Sequence, residues 1–213
     1  MTGAASVFFA LFFVAAVADW IAVYLGHGER RAAEYVAKPL TLVFLILATL
    51  ALDPNDPTAR TWFVVALVFG LVGDVFLMFP DRFFLFGLAS FLVGHLAYVG
   101  GFAVHDLSAG GAVVGLAVVA GGLATIGRRI VTAVADAEPK LTTPVGAYIG
   151  VISLMVMLAM ATGQPTAIVG ALLFYASDAL IAWNKFIEES SWGRVAIIVT
   201  YHLGQFLIVL SLL

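Results

Sequence analysis

Two aspartates, Asp74 in FGLVGDVFLMF and Asp178 in LFYASDALIAWNKF, interrupt runs of this chain that are otherwise apolar. Placing an ionised carboxylate in hydrocarbon costs at least roughly 2.5 to 3.5 kcal/mol, so acids at such depth normally face a polar cavity or a partner. Lys38, His95 and His202 interrupt apolar runs in the same way. Two carboxyls of unequal proton affinity, one kept protonated by low dielectric and its neighbour, the other held ionised by Lys38, are what an acid-catalysed reaction needs. The competing reading is a structural ion pair tying helices together. Buried pairs often contribute little net stability, so two acids and a lysine inside lipid favour function.

The histidines could serve as proton carriers, hydrogen-bond donors or, with the aspartates, a two-His, two-carboxylate metal set. Only His95 and His202 fall within apolar spans, because His27 and His105 sit in or beside loops, and a three-His zinc site cannot be built. Neither a metal nor a cofactor is expected. Cysteine is absent, which excludes disulfides, thiolate ligands and a cysteine nucleophile. There is no GxSxG elbow and no phosphate-binding glycine loop, so a serine hydrolase or nucleotide enzyme is not indicated.

The elements that must position these groups are membrane helices. Of 213 residues, 63% are hydrophobic and 11% charged, and the mean hydropathy is +1.10, far outside the range of a soluble domain. Apolar segments fall at about 4–24, 33–52, 60–79, 83–104, 111–131, 141–161, 166–187 and 193–213. Continuous runs of this length select helices over a barrel. The expectation is an all-α bundle of eight transmembrane helices forming one domain over 1–213. The first apolar run lacks a preceding Lys or Arg and reads as an uncleaved span.

With both termini on one side, the opposite side collects Arg30, Arg31, Lys38, Arg82, Arg128, Arg129, Lys140, Lys185 and Arg194, and the terminal side only Arg60. By the positive-inside rule the termini then face away from the cytoplasm. Depth follows from the 1.5 Å rise per residue. The second helix must begin near Ala32 or Ala33 to be long enough, which puts Lys38 inside the membrane and leaves Pro39 tolerable in an early turn. Lys38, Asp74, Asp178 and His202 then share a layer in the cytoplasmic half, with His95, Tyr98, Tyr175 and Gln205 somewhat deeper. VGDVFLM also resembles ASDALIA, and His95-Leu-Ala-Tyr98 resembles His202-Leu-Gly-Gln205. The pattern suggests a parallel four-plus-four duplication.

Several residues read as structural. Gly73, Gly87, Ser90, Gly94 and Gly204 permit close helix contact. Asp19 and Trp20 mark an interfacial boundary, with Asp19 able to border the polar layer, and Trp62, Trp183 and Trp192 fit interfacial belts. Phe83, Phe84, Phe86 and Phe91 are lipid-facing or packing residues.

In their order and spacing, several short motifs resemble the YhhN-like lysoplasmalogenase family of integral membrane proteins. They are Lys38-Pro39, Gly73-Asp74 with Leu77-Met78, Phe86-Gly87 through Gly94-His95 to Tyr98, Tyr175 with Ser177-Asp178 and Leu180, and Tyr201 with Gln205 and Leu207-Ile208. The resemblance implies a multi-span hydrolase that cleaves the vinyl ether bond of lysoplasmalogen to a fatty aldehyde and a glycerophospho-amine, with Asp74 and Asp178 as the catalytic pair. From the residues themselves, Lys38, His95, Tyr98, Tyr175, Ser177, Tyr201, His202 and Gln205 are expected to bind substrate or support the site. An aromatic residue is expected at position 202 in several relatives, so His202 departs from the pattern, and a chemical role for it does not follow.

Acid chemistry fits that implication: an enol ether is cleaved by protonation of its β-carbon and capture of the oxocarbenium ion by water. The expected partners are a lipid substrate and the membrane, with no nucleic acid. Compact loops and alanine, valine and glycine richness fit a bacterial inner membrane. The alternative class is a proton-coupled transporter or lipid flippase using the same carboxyls; aldehyde release without a gradient separates the two.

Overall fold

Thr2, Asp56, Ser108 and Ser190 each stand one residue before an apolar run, and each is the N-cap of a helix in the computed structural model of the chain. Their side-chain oxygens accept from Ala5, Thr58 and Ala59, Gly111 and Gly193, satisfying amides that an α-helix leaves without partners. The structure describes residues 1–26, 30–79 and 81–213, without the side chains at 30–32, 81 and 191. His27, read above as a loop histidine, lies outside the described residues.

The helices are α1 (Gly3–Leu25), α2 (Arg30–Ala51), α3 (Pro57–Leu77), α4 (Phe84–Ala103), α5 (Ala109–Ala137), α6 (Thr142–Ala161), α7 (Pro165–Phe186) and α8 (Ser191–Leu210). Among the described residues, these eight are long and apolar enough to cross a membrane, and there is no strand. The chain is an all-helical, multi-pass membrane protein. α5 is interrupted by a π turn at Leu123–Gly127 and continues as Arg128–Ala137. That last part is charged and escapes a search for apolar runs, yet it buries Ile130 and Val134, one turn apart on one face.

One expectation is corrected. The apolar span of α2 begins at Ala33, as expected, but the helix itself already runs from Arg30, so Pro39 lies inside it and not in an early turn. Proline there removes a backbone hydrogen bond, at a cost of about 3 kcal/mol. Two residues further on, the Thr41 hydroxyl donates to the Ala37 carbonyl at 2.9 Å.

The chain divides into two compact units, Met1–Gly101 with Leu212–Leu213, and Phe102–Ser211. The boundary falls at the end of α4, where a four-plus-four repeat would put it. In the first unit α1 packs along α2 and α2 along α3. α3 and α4 meet through small residues: a Cβ on Gly94 would lie 3.1 Å from the Ala66 carbonyl oxygen, and Ser90 donates to the Phe69 carbonyl at 2.6 Å. The Phe91 ring seats against Gly73, beside Asp74. In the second unit α5 lies on α6 through Gly111 and Gly115, and α7 crosses α8 at Gly170 and Gly204.

The α7 and α8 backbones are in contact at that crossing. A Cβ on Gly170 would lie 2.8 Å from both the Gly204 carbonyl oxygen and the Ile208 amide nitrogen, and neither can move without moving a helix. Gly170→Ala is therefore expected to lower stability by about 1–3 kcal/mol. Gly146→Ala, where nothing lies within 4 Å, leaves stability unchanged or slightly raised. Thermal unfolding of the two detergent-solubilised variants tests this; equal midpoints would show that the crossing relaxes freely.

Candidate active site

In the first unit the acid and its cation meet. Lys38 Nζ on α2 lies 3.0 Å from Asp74 Oδ1 on α3, with side-chain exposures of 16% and 2%. Both lie within spans, so water contributes little to either charge, and the pair is an interaction between a carboxylate and an ammonium group. Asp19 on α1 is fully buried and within electrostatic reach of Lys38, Glu34 and Asp74. Of the two readings of Asp19, its burial and these neighbours favour the one in which it borders the polar layer. It lies six residues from the end of α1 at Leu25, about 9 Å by helical rise. One lysine therefore serves a neighbourhood with two buried acids.

His95 is buried on α4, and so is Tyr98, one turn along, whose ring meets Phe63 edge-on at 5.3 Å and 70°. Tyr98 thereby anchors α4 to α3. Phe76 stacks on Phe83 at 6.2 Å and meets Phe86 at 5.7 Å, which makes a packing cluster of the α4 phenylalanines next to the α3 terminus.

In the second unit Asp178, half-buried on α7, has a partner that sequence reasoning missed. The Tyr148 hydroxyl on α6 donates to Asp178 Oδ2 at 2.5 Å. Tyr175, one turn before Asp178, lies against the start of the π turn: a Cβ on Gly122 would be 3.4 Å from its hydroxyl oxygen. Ser177 donates to the Ile197 carbonyl at 3.1 Å, so its hydroxyl ties α7 to α8. Tyr201 meets Phe174 edge-on at 5.3 Å and lies 5.4 Å from the His202 ring. His202 and Gln205 are buried on α8.

The structure thus joins Lys38 to Asp74 in one unit, and gathers Tyr201 and His202 in the other. Asp74 and Asp178 belong to different units, each with its own partner. A signal for Tyr148 existed in the depth arithmetic. It lies six residues, about 9 Å, into α6, and Asp178 lies eight residues, about 12 Å, before the end of α7.

The model of the YhhN family matches residues 33–212, which include Lys38, Asp74, Tyr148 and Asp178. Lysoplasmalogenase TMEM86B of Rattus norvegicus is 28% identical over 94% of this chain and 82% of its own length. The lysoplasmalogenase of Mycobacterium bovis is 33% identical over 88% of this chain and 75% of its own. TMEM86B of Mus musculus, also a lysoplasmalogenase, is 31% identical over 81% and 72%. No solved structure matches the chain. With the family match running from the first turns of α2 to the end of the chain, and both acids within it, this protein belongs to the YhhN family.

Proposed function

We propose that this chain is a membrane-embedded lysoplasmalogenase, hydrolysing the vinyl ether bond of a single-chain lipid to a fatty aldehyde and a glycerophospho-amine. The observation that carries the reading is the buried Lys38–Asp74 pair, in a chain whose relatives from a mammal and a mycobacterium are lysoplasmalogenases. Asp74 and Asp178 act as a pair. One protonates the β-carbon of the enol ether, the other stabilises the oxocarbenium ion, and a carboxylate takes a proton from the attacking water. The hemiacetal then collapses. Of the water, the oxygen ends in the aldehyde, one hydrogen is balanced by the new C–H bond, and the other by the released hydroxyl.

His95, Tyr98, Tyr175, Tyr201, His202 and Gln205 line and support the site, and the basic loops on the cytoplasmic side receive the lipid phosphate. Both termini face away from the cytoplasm, and the protein resides in a bacterial inner membrane.

Purified protein in detergent, given lysoplasmalogen, is expected to release free aldehyde with no ion gradient present. Its absence, with lipid transport in sealed vesicles instead, would move the carboxyls to the transporter class.

A further inference from the structure

A lipid with a phosphate head must set that anion against a cation, and the first unit narrows the choice. Lys38 is held by Asp74 at 3.0 Å, inside a span. Arg60 stands at the far end of α3, where it donates to the Leu52 carbonyl at 3.0 Å. Among the described cationic side chains of that unit this leaves Arg82, exposed on the turn Asp81–Phe83 that leads from α3 into α4.

We infer that Arg82 binds the phosphate of the single-chain lipid whose ether bond is brought to Asp74; this rests on the proposed vinyl ether hydrolysis. The guanidinium carbon lies over the Phe83 ring, 4.9 Å from its centroid. Arginine can rest on an aromatic face and still offer its planar fork of N–H donors to phosphate oxygens. Phe83 is itself held, stacked on Phe76 at 6.2 Å and against Phe79 at 5.8 Å and Phe86 at 6.3 Å. Phe76 is two residues beyond Asp74 on α3, so one pair of rings joins the acid's helix to the arginine's platform. The turn is also tied to the helix that carries Lys38, since the Tyr35 hydroxyl on α2 donates to the Met78 carbonyl at 3.2 Å. A cation set on such a floor gives up less freedom on binding an anion than one on a loose side chain.

The depths agree. Asp74 lies three residues before the end of α3 at Leu77, about 4.5 Å by helical rise. A phosphate at the turn and an ether bond at Asp74 are then apart on the scale of the glycerol backbone that separates them in the lipid. Phe79 and Phe86, both exposed, put apolar surface beside the guanidinium, which favours an anion that carries a hydrocarbon chain over a soluble phosphate.

The test is Arg82→Gln in detergent-purified protein. The side chain is exposed, so the unfolding midpoint is expected to stay at the wild-type value. With lysoplasmalogen, KM is expected to rise roughly tenfold at unchanged kcat, because the phosphate keeps its charge throughout the reaction. With an alkenyl glycerol, which has the ether bond but no phosphate, variant and wild type are expected to give the same kcat/KM, whereas a merely structural arginine would slow both substrates alike. A second readout needs no turnover. A labelled alkyl lysophospholipid, saturated at the ether bond, is expected to bind the variant roughly tenfold more weakly than the wild type, and inorganic phosphate is expected not to displace it. An unchanged KM, an equal loss on the alkenyl glycerol, or displacement by inorganic phosphate, which would make this a site for a free anion, would overturn the inference. Arg82-dependent binding of the saturated lipid by a protein that releases no aldehyde would instead overturn the hydrolase reading and leave the phosphate site standing.

Discussion

Asparagine at position 178 is expected to lower aldehyde release by roughly 10²–10⁴-fold, the range a positioned acid contributes, without changing helix content or extraction from the membrane. Asn matches Asp in shape, and its amide oxygen can still accept from Tyr148, so the α6–α7 contact is retained while the carboxyl is gone. Asp74→Asn is expected to lose activity on the same scale, because the proposed mechanism needs both carboxyls of the pair. If the two work on one substrate, their losses do not multiply, and the double variant is expected to be about as slow as the worse single one. Circular dichroism and an aldehyde assay on purified protein check all three. Full activity in either single variant would sink the paired-acid mechanism, and multiplicative losses would separate the two residues into independent roles.

The fold was legible because each span is a long apolar run bounded by caps. Thr2, Asp56, Ser108 and Ser190 stand where the helices begin. The misplaced boundaries share a cause. Arg30–Arg31 at the start of α2 and Arg128–Ala137 at the end of α5 are polar helix that continues beyond an apolar stretch, and hydropathy reports the stretch, not the helix. That Lys38 would pair with one of the two acids was legible, because charge in an apolar run is rare and needs a counter-charge; that the acid is Asp74 took the structure.

Tyr148 was passed over, despite its matching depth, for the complementary reason. A tyrosine in an apolar run is ordinary, since its ring suits the interior and only its hydroxyl needs a partner. Asp19 had two readings because its distance from a helix end does not tell an interface from a polar layer, and it took the neighbouring helices, which bury it completely, to favour the second. The glycines of the α7–α8 crossing are similar. Small residues predict close approach somewhere, but that Gly170 and Gly204 face each other is settled by helix rotation, which the sequence does not encode locally. Partners that carry charge can be found by their cost in lipid; neutral ones are found only by geometry.

That cost gives the largest stability effect. Lys38→Met is expected to destabilise the protein by about 3–5 kcal/mol, because it leaves the Asp74 carboxylate, 2% exposed, without its cation. Removing the acid too should restore most of the loss. Lys38→Met with Asp74→Asn carries no net charge in the pair, and a neutral replacement of a buried ion pair is often as stable as the pair itself. The single variants are thus each expected to be less stable than the double one, the reverse of what independent sites give. Denaturation of the four proteins in one detergent measures the cycle. If Lys38→Met melts with the wild type, water reaches the ion pair, and its charges are not held in a dry interior. If the double variant recovers stability but not aldehyde release, the pair is retained for chemistry at the expense of nothing the fold requires.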